Sequence, residues 1–400
     1  MADAKLVCTG CGKEFPVARL HPRCDSCREP LEVRLEGLAG ARVWQRENIF
    51  DRYRDFFTFP RVVGEAGLGE GRTPLTRSCM VSQILGVGHL YFKNETMNPT
   101  WSFKDRGTAA GIQHALSLGL GRIGTVSTGN MAASVAAYGA RAGLATYILV
   151  SNDIPPEKIP PIGIYRPRIL VVHGNLSDIF RRSHDLGEKH GIYFISADVP
   201  LRVEGSKTIA FEICEQLGFT VPDWVVVPVS AGGNFRGILK GFLEFREAGL
   251  ISSIPRMIAA QASGCSPITT AFDKGSLTIE RFENPHTIAH AIESVFPPSG
   301  NETLRLLEKY GGLATSVTDE EMLSAQALMA REGIFAQPAA AVPLAAVKKL
   351  LSQGAVAPSE SIVCIVTGGG LKYTAALEHH SIETVHTDFD GLDDALGRLT

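Results

Sequence analysis

The stretch Asn98-Pro99-Thr100-Trp101-Ser102-Phe103-Lys104-Asp105-Arg106-Gly107 decides how this chain is read. An Asn-Pro turn signal precedes a lone lysine, which sits between an aromatic residue and an acid–base pair at the expected start of a helix. A lysine in that setting loses its proton when partly buried and becomes an amine nucleophile toward an aldehyde.

Three later glycine-bearing turns and one arginine segment carry further chemistry. Ser127-Thr128-Gly129-Asn130 follows the apolar run Gly124-Thr125-Val126 and precedes a helix at Met131. Small hydroxyl residues, a glycine and a helix N-terminus cluster backbone N–H donors in a way that suits a carboxylate; taken alone, the segment is equally a capped helix start. Val227-Pro228-Val229-Ser230-Ala231-Gly232-Gly233-Asn234 ends a buried strand in a turn whose glycines let backbone amides approach a phosphate, though such turns are often mere connections. Ile365-Val366-Thr367-Gly368-Gly369-Gly370-Leu371-Lys372 closes the last strand in the same manner. Arg202, in Arg202-Val203-Glu204-Gly205-Ser206-Lys207-Thr208, suits a bidentate phosphate or sulfonate contact; the plain alternative is a solvated charge at a helix entry.

Composition bounds the rest. Four hundred residues, 44% hydrophobic and 20% charged, describe an ordinary globular chain of two or three units. A net charge of −3 offers nucleic acid or an anionic membrane no broad attraction. No apolar run reaches the roughly 18 residues of a membrane span, and the polar N-terminus reads as lacking a signal peptide, so a cytoplasmic enzyme is expected. Four of the eight cysteines form Cys8-x2-Cys11 and Cys24-x2-Cys27. Two such knuckles suit a structural, tetrahedral zinc site with no open position; disulfides are the competing structural reading. Cys79, Cys214, Cys265 and Cys364 read as small core residues.

After a linker near Glu36 to Arg42, strands are expected at His89–Phe92, Gly124–Ser127, Tyr147–Ser151, Ile169–His173, Tyr193–Ser196, Trp224–Pro228, Met257–Gln261 and Ser361–Thr367. Helices are expected at Ala132–Ala142, Leu176–His190, Lys207–Leu217, Gly237–Ala248, Asp319–Glu332 and Ala340–Gln353. This alternation predicts an α/β fold of mostly parallel sheets covered on both faces, with ligands at the carboxyl ends of the strands. Residues 376–400 read as a peripheral tail.

The lysine stretch resembles the pyridoxal-phosphate lysine motif of threonine synthases and their relatives, NPTGSFKDRG, at nine of ten positions; Trp101 stands where the family has glycine. The other segments resemble that family's S-[ST]-G-N-T-A-A-S, glycine cup, TGHGLKD and R-[IL]-E-G-Q-K-T in the same order. Gly69-Glu70-Gly71-Arg72-Thr73-Pro74-Leu75 and Gln337-Pro338-Ala339-Ala340-Ala341 add matches to GEGxTPL and EPASA. The resemblance implies a fold-type-II pyridoxal-phosphate enzyme, similar to the tryptophan synthase β-subunit. It would have a zinc-ribbon-like segment at 1–36, a large domain of 37–100 and 205–375, and a small one of 101–204. It further implies cofactor held as an aldimine on Lys104, which also acts as base and acid. Asn130, Ser230, Ala231, Gly232, Gly233, Asn234 and Thr367 would contact the cofactor. Ser127, Thr128, Gly129, Asn130, Met131, Trp101 and Arg202 would face the substrate, and Cys8, Cys11, Cys24 and Cys27 would hold zinc.

The implied activity is conversion of O-phosphohomoserine and water to threonine and phosphate, by a homodimer. Gly369 and Tyr373 depart from the family's His and Asp. Departures at the positions that would face the substrate, Trp101, Met131, Asp198, Gln337 and Ala340, leave open a paralogue that performs β-replacement or β-elimination on a smaller or differently charged amino acid. Such a paralogue would resemble the cysteate synthases, cysteate lyases or serine/threonine deaminases. A zinc-ribbon binding module with a non-catalytic body is a further alternative, against which the intact lysine and loops argue.

Overall fold

A computed structural model describes residues 4–59, 66–152, 154–174, 176–197, 199–381 and 384–399. Its larger sheet has the order Leu313–Val317, Arg256–Ala262, Trp224–Pro228, Ser361–Val366, His89–Asn94, Leu75–Arg77. All neighbours are parallel except the last pair. The smaller sheet, parallel throughout, has the order Arg168–Val172, Ala145–Ser151, Arg122–Val126, Tyr193–Phe194. Ala4–Cys8 pairs antiparallel with Glu14–Phe15 and Leu31–Leu35 in a third, N-terminal sheet.

Central strands such as Trp-Val-Val-Val-Pro and Ser-Ile-Val-Cys-Ile-Val are apolar at successive positions because both of their faces are covered. Val225, Val227, Val363 and Ile365 enter one core with the helices Pro200–Gln216 and Gly233–Glu247. Trp224, Val226, Ile362 and Cys364 enter the other, beneath the helix Pro338–Ser352. Leu6, Leu31 and Val33 of the N-terminal sheet join the first core, so this segment is packed into the body.

Differences from expectation are local and have physical causes. Leu75–Arg77 and Leu313–Val317 are edge strands too short or too small-residued to read as apolar runs. Two helices begin earlier than their apolar pattern: one at Pro200, where proline suits the first turn, and one at Gly233 directly on the glycine turn. The C-terminal stretch is not wholly peripheral: Ala376 and Ala395 are buried, His380 pairs with Gln326 at 2.7 Å, and Leu392–Leu399 is helical.

The boundary expected between 204 and 205 falls inside the continuous helix Pro200–Gln216. That helix crosses the helix Lys104–Ser117 at almost bare backbone. A β-carbon on Gly107 would stand 2.9 Å from the Arg202 carbonyl, and one on Gly205 would overlap the carbonyl of Arg106. Both motif glycines are therefore explained by close helix approach. Gly205→Ala is expected to cost about 3 kcal/mol or more through forced separation. Urea unfolding measures this; an unchanged midpoint would show that the helices can part freely.

Candidate active site

The lysine decapeptide links the end of the strand His89–Asn94 to the helix Lys104–Ser117, and the side chains of Asn98, Thr100, Ser102, Asp105 and Arg106 in it each have a hydrogen-bond partner. Asn98 donates to the Glu95 carboxylate at 2.8 Å and accepts from the Gly71 amide at 3.0 Å. Asp105 accepts from the Thr100 amide and hydroxyl and from the Ser134 hydroxyl, each at 2.6 Å, while burial raises its pKa. Ser102 accepts from the Lys104 amide at 3.2 Å, satisfying one donor at the helix start. The Phe103 amide donates to the Thr367 carbonyl at 3.1 Å, tying this loop to the last one.

Arg106 anchors the assembly. It is wholly buried and donates to both Glu95 oxygens (2.6 and 2.8 Å) and both Glu212 oxygens (2.6 and 2.7 Å). Further bonds reach the hydroxyls of Thr73 and Thr208 at 3.0 Å. Lys93 donates to Glu212 at 2.7 Å, so two cations face two carboxylates. Such a closed set is tolerable in a low-dielectric interior only because every charge is paired and hydrogen-bonded.

Lys104 opens a cavity of about 1160 Å³ at the carboxyl ends of both parallel sheets. Burial, reinforced by the charge of Arg202, lowers its pKa to about 7. Its ammonium lies 4.3 Å from the centroid of the Phe103 ring, and among the described residues no carboxylate is within ion-pair reach. Arg202 is buried rather than solvated, and donates to Thr108 at 3.0 Å. Lys372 also lines the cavity; it donates to the Thr100 carbonyl at 2.7 Å, and burial lowers its pKa to about 8.

The expected loops converge here. Ser127, Thr128, Gly129, Asn130 and Met131 line one side, with Asn130 starting the helix Asn130–Arg141 and donating to Gln337 at 3.4 Å. Ser230, Ala231, Gly232, Gly233 and Asn234 line another side. Gly232 has φ +93°, and a β-carbon there would stand 2.9 Å from Ser299 Cβ, so the turn demands glycine twice over. Both polar side-chain atoms of Asn234 are buried without a protein partner at this helix start. A glycine turn, a helix N-terminus and an orphaned amide are what a phosphorylated cofactor would satisfy, and Thr367 lines the same cavity. These residues fit pyridoxal phosphate beside an amine of lowered pKa.

Two expected substrate-facing positions fall elsewhere. Trp101 is not part of the cavity lining: its side chain is 57% exposed, and its backbone sits at φ +60° after the Asn98–Trp101 turn bond of 2.7 Å. The glycine of the resembled motif thus answers a backbone demand rather than a need for pocket volume. Ala340 is packed in the core rather than on the cavity wall. Asp198 lies outside the described residues. Conversely, Arg23, Glu29, Arg181, Arg281 and His290 also line the cavity. Arg181 sits on the expected helix Leu176–His190, and the others lie in loops and short turns where sequence periodicity has nothing to register.

Away from the cavity floor, the sulfurs of Cys8, Cys11, Cys24 and Cys27 lie within 4.8 Å of one another. Cys8–Cys27 is 3.3 Å and Cys11–Cys24 is 3.6 Å. Thiolates at about 2.3 Å from a zinc ion would be about 3.8 Å apart, so the donor set fits a tetrahedral metal.

Residues 67–368 match the family of pyridoxal-phosphate dependent enzymes. The chain is 39% identical to the threonine synthase of Methanocaldococcus jannaschii over 96% of both chains. It is 37% identical to that of Methanosarcina acetivorans over 92% of both. In fold it is similar to threonine deaminase isoform 2 of Solanum lycopersicum (TM-score 0.66, 23% identity, 78% of this chain and 88% of that one). Maize serine racemase is also similar (TM-score 0.64, 21% identity, 82% and 92%).

Left-handed backbone costs a tryptophan about 1 kcal/mol relative to glycine. Trp101→Gly is therefore expected to raise stability by up to that amount and to leave turnover within about twofold. Denaturation and steady-state assays check both; a large change in substrate preference would return Trp101 to the site.

Proposed function

The chain belongs to the threonine synthase family of pyridoxal-phosphate dependent enzymes, and from that premise we propose that it converts O-phosphohomoserine and water to threonine and phosphate at Lys104. One observation carries the choice of a phosphorylated substrate. Among the described residues, eight lysines and arginines line the cavity against three carboxylates (Glu29, Asp178 and Glu293), in a chain of net charge −3. Such a concentration of positive charge suits two phosphates, one on the cofactor and one on the substrate.

Pyridoxal phosphate, when bound, supplies the electron sink that acidifies the amino acid's Cα–H. The chain's own groups do the rest. Gly232, Gly233 and Asn234 would hold the cofactor phosphate, with Ser230 and Ala231 shaping the turn, and Thr367 would offer a neutral hydroxyl to the ring nitrogen. Asn130 would contact the ring oxygen. Ser127, Thr128 and Gly129 would hold the substrate carboxylate with amides at a helix N-terminus, and Met131 would bound the side-chain space. Arg202 would bind the leaving phosphate. Its charge also lowers the Lys104 pKa, so an incoming phosphate that neutralises Arg202 would strengthen Lys104 as the base that moves protons at Cα and beyond.

Met131 and Gln337, which line the cavity where the resembled motifs carry threonine and glutamate, favour one second reading: β-replacement or β-elimination on another amino acid. Around this centre we place a structural zinc on Cys8, Cys11, Cys24 and Cys27, and a large and a small domain meeting at the cavity. A cytoplasmic homodimer completes the reading; among the described residues no helix is long and apolar enough to cross a membrane.

Supplied with O-phosphohomoserine, the enzyme is expected to release phosphate and threonine in equal amounts, and Lys104→Ala to abolish this while keeping the fold. Phosphate assay, amino-acid analysis and circular dichroism measure it; ammonia or keto acid as the main product would select the second reading, and full activity in Lys104→Ala would end both. Because the Lys104 amine is protonated below about pH 7, capture of pyridoxal phosphate by cofactor-free protein should slow as pH falls through that value. A capture rate that is flat from about pH 6 to about pH 9 would contradict the lowered pKa.

A further inference from the structure

The N-terminal cysteine segment reaches the glycine turn through a chain of contacts that the reaction itself does not use. Arg236, 1% exposed, lies one helical turn beyond Gly232, whose carbonyl accepts from its amide at 3.1 Å. Its guanidinium donates to the Ser299 hydroxyl at 3.0 Å on one side. On the other it meets the Leu31 carbonyl at 3.4 Å and the Glu32 carboxylate at 3.3 Å, both on the last strand of the N-terminal sheet. Ser299 in turn donates its amide to the Ala231 carbonyl at 2.9 Å and packs against Gly232 so closely that no β-carbon would fit.

A second grip comes from the knuckle that carries Cys24 and Cys27. Arg23 donates to the Pro298 carbonyl at 2.9 Å. Glu29 accepts from Asn301 at 3.1 Å and from Arg305 at 2.6 Å. The segment 298–305 is therefore held by the cysteine knuckle at both ends of a short span, and its Ser299 forms the wall behind the turn.

We propose that the N-terminal cysteine segment braces the turn that takes the cofactor phosphate, with Arg236 and Glu29 as the positioning residues that transmit the brace. Gly232 has a left-handed backbone and no side chain of its own to anchor it, so the placement of its amide depends on what stands behind it. A brace supplied by a module with its own cysteine cluster couples the integrity of that module to retention of pyridoxal phosphate. This rests on the cofactor site alone and not on the choice of substrate, so its failure is distinguishable from failure of the threonine synthase reading.

The test is the rate at which purified holoenzyme loses pyridoxal phosphate during dilution into cofactor-free buffer, followed by the cofactor's visible absorbance. Arg236→Ala removes charged hydrogen bonds and is expected to speed release by about tenfold, with Arg236→Lys partly restoring retention. Arg256→Ala, which breaks the Trp224 and Glu360 contacts at the opposite end of the strands, controls for general loosening and should release cofactor within about twofold of wild type. Release at the wild-type rate from folded Arg236→Ala would overturn the proposal, as would an equal acceleration in Arg256→Ala. If Arg236→Ala does not fold, Glu29→Gln decides: about threefold faster release supports the brace, and an unchanged rate overturns it.

Discussion

Everything at the cavity depends on one buried charge. Arg106 cannot lose its proton and cannot reach water, so Glu95 and Glu212 must stay where they are. Glu95 belongs to the turn before the lysine loop, Arg106 to the lysine helix, and Glu212 to the long helix Pro200–Gln216. Breaking such a set leaves an unpaired buried charge at a cost of about 3–5 kcal/mol. The three elements are thereby locked, and Lys104, two residues before Arg106, inherits a fixed position. The bare crossing of Gly107 and Gly205 sets how near the helix bearing Arg202 comes to the lysine.

That position is a compromise between burial and chemistry. Lys104 is half-buried with no carboxylate partner among the described residues, and the resulting penalty appears as a pKa of about 7, which is what an amine acting at neutral pH requires. The same interior holds Lys93 and Lys207 with carboxylates at 2.7 Å. Lys93 and Lys207 are held as cations by these carboxylates. Lys104 and Lys372, which line the cavity, have no carboxylate within ion-pair reach among the described residues, and burial lowers the pKa of each.

Much of this was legible from residues alone. The parallel α/β class followed from apolar strands alternating with helices. The three glycine turns and the Arg202 segment gained their assignment from their resemblance to the family's motifs, because each alone reads equally as a cap, a connection or a solvated charge. Legibility failed where the cause was backbone geometry or distant packing. Trp101 reads as added bulk near a substrate, yet only its φ of +60° and exposed ring show that its glycine counterpart serves a turn. Arg202 reads equally well as a solvated charge, because burial by a helix beginning at Pro200 is invisible in its local pattern.

By itself, then, the sequence determined the type of fold, the cofactor family, the lysine and the two cysteine knuckles. Each of these is written in short, local patterns whose chemistry needs those residue types at that spacing. Only the tertiary structure decided which charges are paired, which side chains face the cavity, and that the N-terminal knuckle stands behind the glycine turn. These depend on residues far apart in the chain, such as Arg236, Ser299 and Glu32, and distance along a sequence carries no record of proximity in space.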